Sequence, residues 1–275
     1  SIVQKVEGNQ HIHGYKGEEV VEVGGHAGNF DVKFTGQDGA KSSLSVGSIV
    51  VATGAERFRT SEYLYGQHQR VLTQRDLEEK LIDPHFAQAL AGQTLVMIQC
   101  VGSRDETHPY CSRVCCTQAL KNALALKREL PEARVIVLYR DLRSYGFREI
   151  LYRQARQAGV IFLEYSEDQK PQVSSPEDSH LEVLVKIQPE GETVKLRADW
   201  VILSTGIEPE PENAELARLL KVPLNETGFF LEAHVKLRPV DFAAEGIFLA
   251  GLAHSPRTIE ETIAQAQAAS VRAVA

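Results

Sequence analysis

The stretch Thr94-Leu95-Val96-Met97-Ile98-Gln99-Cys100-Val101-Gly102-Ser103-Arg104, with Pro109-Tyr110-Cys111-Ser112-Arg113-Val114-Cys115-Cys116 after it, decides how this chain folds. Its first six residues read as a strand leading into a cysteine region. A helix follows from about 113 to 130, rich in Ala, Leu and Lys, with Pro131 just beyond its end. Residues 134–139, Arg-Val-Ile-Val-Leu-Tyr, then read as a second strand. Strand, helix and strand in that order make a βαβ-like unit, the mark of an α/β protein.

Upstream, residues 18–23 and 29–34 are short strand-like runs separated by Gly24-Gly25 and Gly28, and Gln37-Asp38-Gly39-Ala40 makes a hairpin turn. Ser48-Ile49-Val50-Val51-Ala52 is a continuous apolar run ending in Thr53-Gly54, which suits a buried strand in a covered sheet. About 77 to 90 is a helical connector interrupted by Pro84. Downstream, a helix over 146–158 is closed by Gly159 as C-cap. A strand at 160–163 and a hairpin over 181–188 and 192–196 follow. Trp200-Val201-Ile202-Leu203-Ser204-Thr205-Gly206 echoes residues 49–54 as an apolar strand ending in Thr-Gly. In the tail, residues 245–251 read as a strand, and a helix runs from Ser255 to Arg272, with Thr258-x-x-Glu261 fitting a capping box. The order predicts two interleaved parts: residues 1–91, an α/β insert at 92–199 with the cysteines, and a return to the first domain over 200–275.

At 275 residues the chain can build one large α/β domain or two compact ones. A net charge of −7 and the lack of a basic-aromatic cluster exclude nucleic acid as a partner. No apolar run approaches the roughly 20 residues that span a bilayer, so direct membrane insertion is not expected. Ser1-Ile2-Val3-Gln4-Lys5 carries no signal-peptide pattern, which predicts a cytoplasmic protein with reduced thiols.

All four cysteines fall in one 17-residue window as Cys-x10-Cys-x3-Cys-Cys. Four thiolates are what a [4Fe–4S] cube needs, one per iron. Cys100 would come from the end of a buried strand, and Cys111, Cys115 and Cys116 from a loop and a first helical turn. Helix N–H groups there, with Arg104 and Arg113 nearby, would offset negative charge. Structural zinc is a rival reading, ranked lower because adjacent Cys115-Cys116 do not form a Cys-x2-4-Cys knuckle. A thiol redox pair and inert buried thiols are the others. The Gly-x-Gly-x-x-Gly of a dinucleotide-binding βαβ unit is missing after Gln99, so ordinary NAD(P) binding there is not expected. Gly24-Gly25-His26-Ala27-Gly28 is followed by a strand pattern and reads as a turn.

From Gln99 to Lys121, and in Gly246-Ile247-Phe248-Leu249-Ala250-Gly251-Leu252-Ala253-His254, the sequence resembles the flavoprotein of heterodisulfide reductase, its A-type component. The resemblance extends to residues 22–34, to Val50–Gly54 and to Ser204-Thr205-Gly206. It implies an α/β, thioredoxin-reductase-like (FAD/NAD(P)-binding, Rossmann-type) interleaved two-domain fold, incomplete at the N-terminus. It implies FAD near a [4Fe–4S] cluster held by Cys100, Cys111, Cys115 and Cys116, with electrons passing between them. By position, Lys121 would lie beside the flavin ring. Gly251 with Pro256, Arg257 and Thr258 would meet the flavin pyrimidine edge, and Thr53, Gly54, Thr205 and Gly206 would line the cofactor crevice. His254 would be a loop residue near the cofactor.

The family's FAD-binding Gly-x-Gly-x-x-Gly unit normally precedes the region matching Ser1 onward and is absent from this sequence. The expectation is an excised portion of a longer protein or a natural reduced form, with FAD a cofactor of the full-length protein. Expected partners are other subunits of a multisubunit redox complex, with a homodimer possible. The alternatives are a docking or dimerisation module that has lost FAD, and a zinc-stabilised structural domain.

Overall fold

The computed structural model describes residues 2–177 and 180–275; Ser1 and residues 178–179 lie outside the description. In chain order its elements are α1 (Ile2–Glu7), β1 (Glu18–His26), β2 (Asn29–Gly36), β3 (Lys41–Val46), β4 (Ile49–Val51), β5 (Glu56–Arg57), β6 (Val71–Thr73), α2 (Gln74–Lys80), α3 (Pro84–Ala89), β7 (Thr94–Val101), α4 (Cys115–Glu129), β8 (Arg134–Tyr139), α5 (Glu149–Gln157), β9 (Ile161–Tyr165), β10 (Gln172–Glu177), β11 (His180–Gln188), β12 (Thr193–Ala198), β13 (Trp200–Thr205), β14 (Ile207–Glu208), α6 (Asn213–Leu220), β15 (Ile247–Leu249) and α7 (Ile259–Val274). They fall into two compact units. One comprises Ser1–Gly54, Pro209–Ser255 and Ile259–Ala275; the other comprises Ala55–Glu208 with Pro256–Thr258. Among the described residues no helix is long and apolar enough to cross a membrane.

In the first unit β1, β2 and β3 form an antiparallel meander. The chain reverses between β1 and β2 at Ala27-Gly28, so the glycine cluster serves a hairpin turn, as expected. β4 pairs in parallel with β15, Val51 opposite Leu249. Phe30, Val51, Phe230, Phe242 and Leu249 pack together with Ala217 and Leu220 of α6. The expectation that residues 48–52 lie in a covered sheet needs correction. Among the described residues β4 has β15 as its sole partner, and Val50 is 43% exposed while Val51 is buried. The sequence reading also passed over α6. Its Leu216, Ala217 and Leu220 share a face at helical spacing, but eight residues give that period little room to register.

The second unit is built on a sheet ordered β10-β11-β9-β8-β7-β13-β6, with β12 beside β11. β9, β8, β7, β13 and β6 run parallel, with Leu95 opposite Val135 on one side and Trp200 on the other. The period of two sorts β7 between two cores. Leu95 and Met97 join Val135, Val137 and Ile202 beneath Ala119, Leu120, Ala123 and Leu126 of α4. Val96 and Ile98 join Ile136, Leu138, Val201 and Leu203 against Leu181, Val183 and Val185 of β11. A strand covered on both faces needs apolar residues at successive positions, which is why 95–98 is an unbroken apolar run. Fully burying one such side chain stabilises the unit by about 1.5–3 kcal/mol.

The helices begin where local chemistry dictates. Thr73 and Asp76 form a reciprocal capping box on α2, and Asp83 caps α3 with Pro84 in its first turn. Pro84 thus opens a second helix instead of breaking one. Lys127 Nζ donates to Pro131 O and Ala133 O beyond the end of α4. Gly159, at φ 82°, follows α5.

Candidate metal centre

β7 does not end straight. β13 keeps register through Leu203 opposite Ile98, but its next pair is Thr205 opposite Val101. Gln99 and Cys100 therefore face a single residue of β13, a bulge that turns the strand end. Cys100 holds a φ of 61°, and Arg104 and Arg113 in the following loop hold 61° and 62°. Left-handed non-glycine residues cost of order 1–3 kcal/mol each and gather at ligand sites and switch regions.

That loop is fixed from within. Ser103 Oγ donates to Tyr110 O at 3.0 Å, and Ser112 N donates to Ser103 Oγ at 3.2 Å. Ser112 Oγ accepts from Ile207 N at 2.9 Å, and Tyr110 Oη donates to Ile207 O at 2.9 Å. Gly102 and Gly206 meet backbone to backbone: a Cβ on Gly206 would stand 2.3 Å from Gly102 O. Below the bulge lies a buried polar chain. Gln99 Nε2 and Gln74 Nε2 both donate to Ser204 Oγ, at 2.8 and 3.2 Å, and Asn122 Nδ2 donates to Gln74 Oε1 at 2.8 Å. Tyr165 Oη donates to Gln99 O at 2.7 Å.

All four cysteines are free thiols; Cys100, Cys115 and Cys116 are buried and Cys111 partly so. As the spacing predicted, they come from the end of β7, the loop and the first turn of α4. They sit close enough to weigh on one another's ionisation. The Cys115 thiol donates to Cys116, which pushes Cys115 well up; burial and the charges of Cys116, Cys100 and Cys111 push the same way. The same bond pulls Cys116 down against burial, helped by the backbone N–H of Arg143 and the charge of Arg104. Burial raises Cys100, opposed chiefly by the Arg140 guanidinium. The backbone N–H of Arg113 donates to Cys111 Sγ at 3.3 Å.

Among the described residues no three His, Cys, Asp or Glu side chains are grouped so as to hold a metal ion. Four thiolates on one zinc at 2.3 Å must stand only about 3.8 Å apart. In an iron–sulfur cube each thiolate binds its own iron, so the four need not crowd one atom. The donor set fits the cube in number and kind: four thiols, N–H groups aimed at sulfur, and cations alongside.

The cations differ in part from those expected. Arg104 bears on Cys100 and Cys116 as anticipated. The Arg113 guanidinium donates to Tyr145 Oη and, through Nη1, to Pro256 O. Arg140 and Arg143, which the sequence reading did not single out, bear on Cys100 and Cys111. Both follow β8, and parallel pairing with β7 brings them to the cysteines, a proximity that no local motif announces.

The remaining residues expected at a cofactor are divided between the units. In the first, Thr53 Oγ1 lies 3.4 Å from Asn213 Oδ1, and Gly54 turns at φ 88°. There Gly251 N donates to Gln265 Oε1 at 2.9 Å. His254 is fastened by Glu232 at 2.7 Å and Gln265 at 2.8 Å. In the second unit Thr205 ends β13, and Gly206 donates to Val101 O while accepting from Phe58 N. Pro256 and Thr258 are buried there and Arg257 partly so. Lys121 Nζ bonds Glu78 Oε1 at 2.7 Å, tying α4 to α2 with its side chain 60% exposed.

No protein-family model matches the chain. It is 39% identical over 245 residues to the A-type iron–sulfur subunit of CoB–CoM heterodisulfide reductase from Methanocaldococcus jannaschii, covering 82% of this chain and 36% of that protein. It is 37% identical over 270 residues to the A-type subunit of ferredoxin:CoB–CoM heterodisulfide reductase from Methanosarcina acetivorans, covering 84% and 33%. The chain thus spans about a third of the length of these curated relatives. Among solved structures, T. acidophilum thioredoxin reductase matches with a TM-score of 0.57 at 14% identity, covering 94% of this chain and 73% of that one. Lactococcus lactis thioredoxin reductase matches with a TM-score of 0.57 at 20% identity, covering 93% and 74%. At those identities the likeness is one of fold, and the fold is thioredoxin-reductase-like.

Proposed function

We propose, from the premise that the chain is like the A-type subunit of heterodisulfide reductase, that Cys100, Cys111, Cys115 and Cys116 hold a [4Fe–4S] cluster in an electron-transfer module. The observation that carries this reading is the gathering of all four thiols, from three elements, against guanidinium groups and sulfur-directed N–H groups. Such a cluster, when bound, supplies one-electron storage.

The protein's own residues set the terms of that storage. The bulge and the left-handed φ of Cys100 turn the chain at the end of β7. Burial of Cys115 and Cys116 in the first turn of α4 keeps water off two of the thiols. Thiolates are the ligating form, and the bond from Cys115 to Cys116 already favours an anion on Cys116. The N-terminus of α4, uncapped by any side chain, favours negative charge beside both.

FAD is proposed as a cofactor of the longer protein, on the thioredoxin-reductase-like fold, and a relay between flavin and cluster within a multisubunit heterodisulfide reductase complex is the role this module would serve. The test is anaerobic purification and reconstitution, with iron, sulfide, zinc and flavin quantified in one sample. Iron and sulfide near four per chain, with a broad visible absorbance bleached by dithionite, are expected. A chain that stays colourless, or takes up one zinc instead, overturns the cluster reading.

A further inference from the structure

Two buried N–H groups beside the thiols have no acceptor. Arg140 lies two residues beyond Leu138, the partner of Ile98 in the parallel pair β7–β8, as Cys100 lies two beyond Ile98. Its side chain is 6% exposed. Nη1 donates to Arg104 O at 2.9 Å and stands 2.8 Å from Glu167 Oε2, and Nη2 donates to Ser103 O at 2.8 Å. Its Nε is buried with no partner in hydrogen-bond geometry, while the guanidinium as a whole lies near enough to the Cys100 sulfur to favour its anion. Arg104 pairs Nη2 with Asp141 Oδ2 at 2.7 Å, and its Nη1 is likewise buried and unpartnered. The carboxylates that balance these cations, Asp141 and Glu167, are 48% and 58% exposed, so each ion pair lies toward solvent. The charges of both arginines bear on Cys100.

Buried donors are nearly always satisfied, and an orphan in a native fold marks a missing acceptor. A sulfur-rich anion held by the cysteines supplies acceptors of the right sign where these N–H groups lie. We propose that Arg140 and Arg104 are positioning residues of the cysteine site: the Nε of Arg140 and the Nη1 of Arg104 donate to sulfur of the group bound there, and the two fixed cations raise its reduction potential. Each one-electron reduction adds a negative charge, and a cation fixed in a low-dielectric wall stabilises the reduced form more than the oxidised one. This inference rests on the cluster reading above.

The test uses the reconstituted protein as wild type, Arg140→Gln, Arg140→Lys and Arg104→Gln, with iron and sulfide content, far-UV circular dichroism and the cluster midpoint potential measured on each. Arg140→Gln should keep its iron and lower the midpoint by more than the 59 mV that equals a tenfold change in a one-electron equilibrium. Arg104→Gln should shift it in the same direction. Arg140→Lys, which keeps the charge without the planar fork, should recover part of the potential. Arg140 also braces Ser103 and Arg104; should its loss cost iron, Arg104→Gln, whose side chain pairs with Asp141, decides the matter. Full iron with an unmoved midpoint in the glutamine variants overturns this inference alone. A wild-type chain that takes up no iron overturns the cluster reading and this inference together.

Discussion

Replacing Gly206 by alanine tests whether the cysteine loop is held by the close approach of two backbones. The new methyl carbon would stand 2.3 Å from Gly102 O, 3.1 Å from Gly102 C and 3.2 Å from Ser112 Oγ. Gly206 has no left-handed φ, so the cost is steric. A carbon meets a carbonyl oxygen comfortably only beyond about 3.3 Å, so the two backbones must part by about 1 Å. Both polar groups of Gly206 resist, since its N–H bonds Val101 O at 2.8 Å and its carbonyl accepts from Phe58 N at 3.0 Å. Overpacking costs about 1–3 kcal/mol and a weakened hydrogen bond about 1 more, which together give about 3 kcal/mol. With a urea slope of about 2 kcal/mol/M, the midpoint should fall by about 1.5 M. Trp200, the single tryptophan and a member of the same unit, reports the transition by its fluorescence. Iron uptake should fall as well, because Gly102 is two residues from Cys100. Ser112→Ala should not rescue the variant, as the nearest obstacle is backbone. A midpoint within about 0.3 M of wild type would refute the reasoning, because a cost of about 3 kcal/mol could not hide in so small a shift.

Three further perturbations probe the neighbourhood. Cys115→Ser should leave the far-UV spectrum largely intact while cluster colour and iron content drop; iron at wild-type stoichiometry would sink the ligand assignment. Ser204→Ala removes the acceptor shared by Gln99 and Gln74 in a buried site. Two stranded amides cost about 1–3 kcal/mol each, so a loss near the middle of the combined range is expected in the urea midpoint, and an unchanged midpoint would show the network to be dispensable. For Glu78, burial pushes the carboxyl up, but hydrogen bonds from Lys121 and Gln118 outweigh it and hold the pKa below the ordinary value. A depressed carboxylate contributes stability that is present above its unfolded pKa and lost as pH falls through the folded one. Glu78→Gln should therefore cost about 0.5 kcal/mol at neutral pH, with the difference closing below about pH 4. An equal difference in midpoint at pH 7 and pH 3 would contradict that assignment.

Much of the second unit was legible in the sequence because its elements answer to local rules. Residues 94–99 read as a strand and form one, and Pro131 and Gly159 mark helix ends that the structure keeps. Where the local signal thins, the reading fails. β5, β6 and β14 are two or three residues long, too short for any period to register. β10 went unseen, although it pairs with β11.

The strand and helix patterns on either side of the cysteines placed Cys100 at a strand end and Cys115 and Cys116 in a first helical turn, because chain connectivity and helix geometry leave little choice once strand and helix are recognised. What surrounds those sulfurs was settled only in three dimensions. Arg140 lies 40 residues from Cys100 in the chain and reaches it through the register of β7 on β8. Gly206 meets Gly102 because β13 loses a residue against the bulge. Arg113, inside the motif, sends its guanidinium to Tyr145. Sequence carries the identity of a ligand, since that is a property of one residue. The charge and packing around it are pairwise properties of residues far apart, and they exist only once strand pairing has brought those residues together.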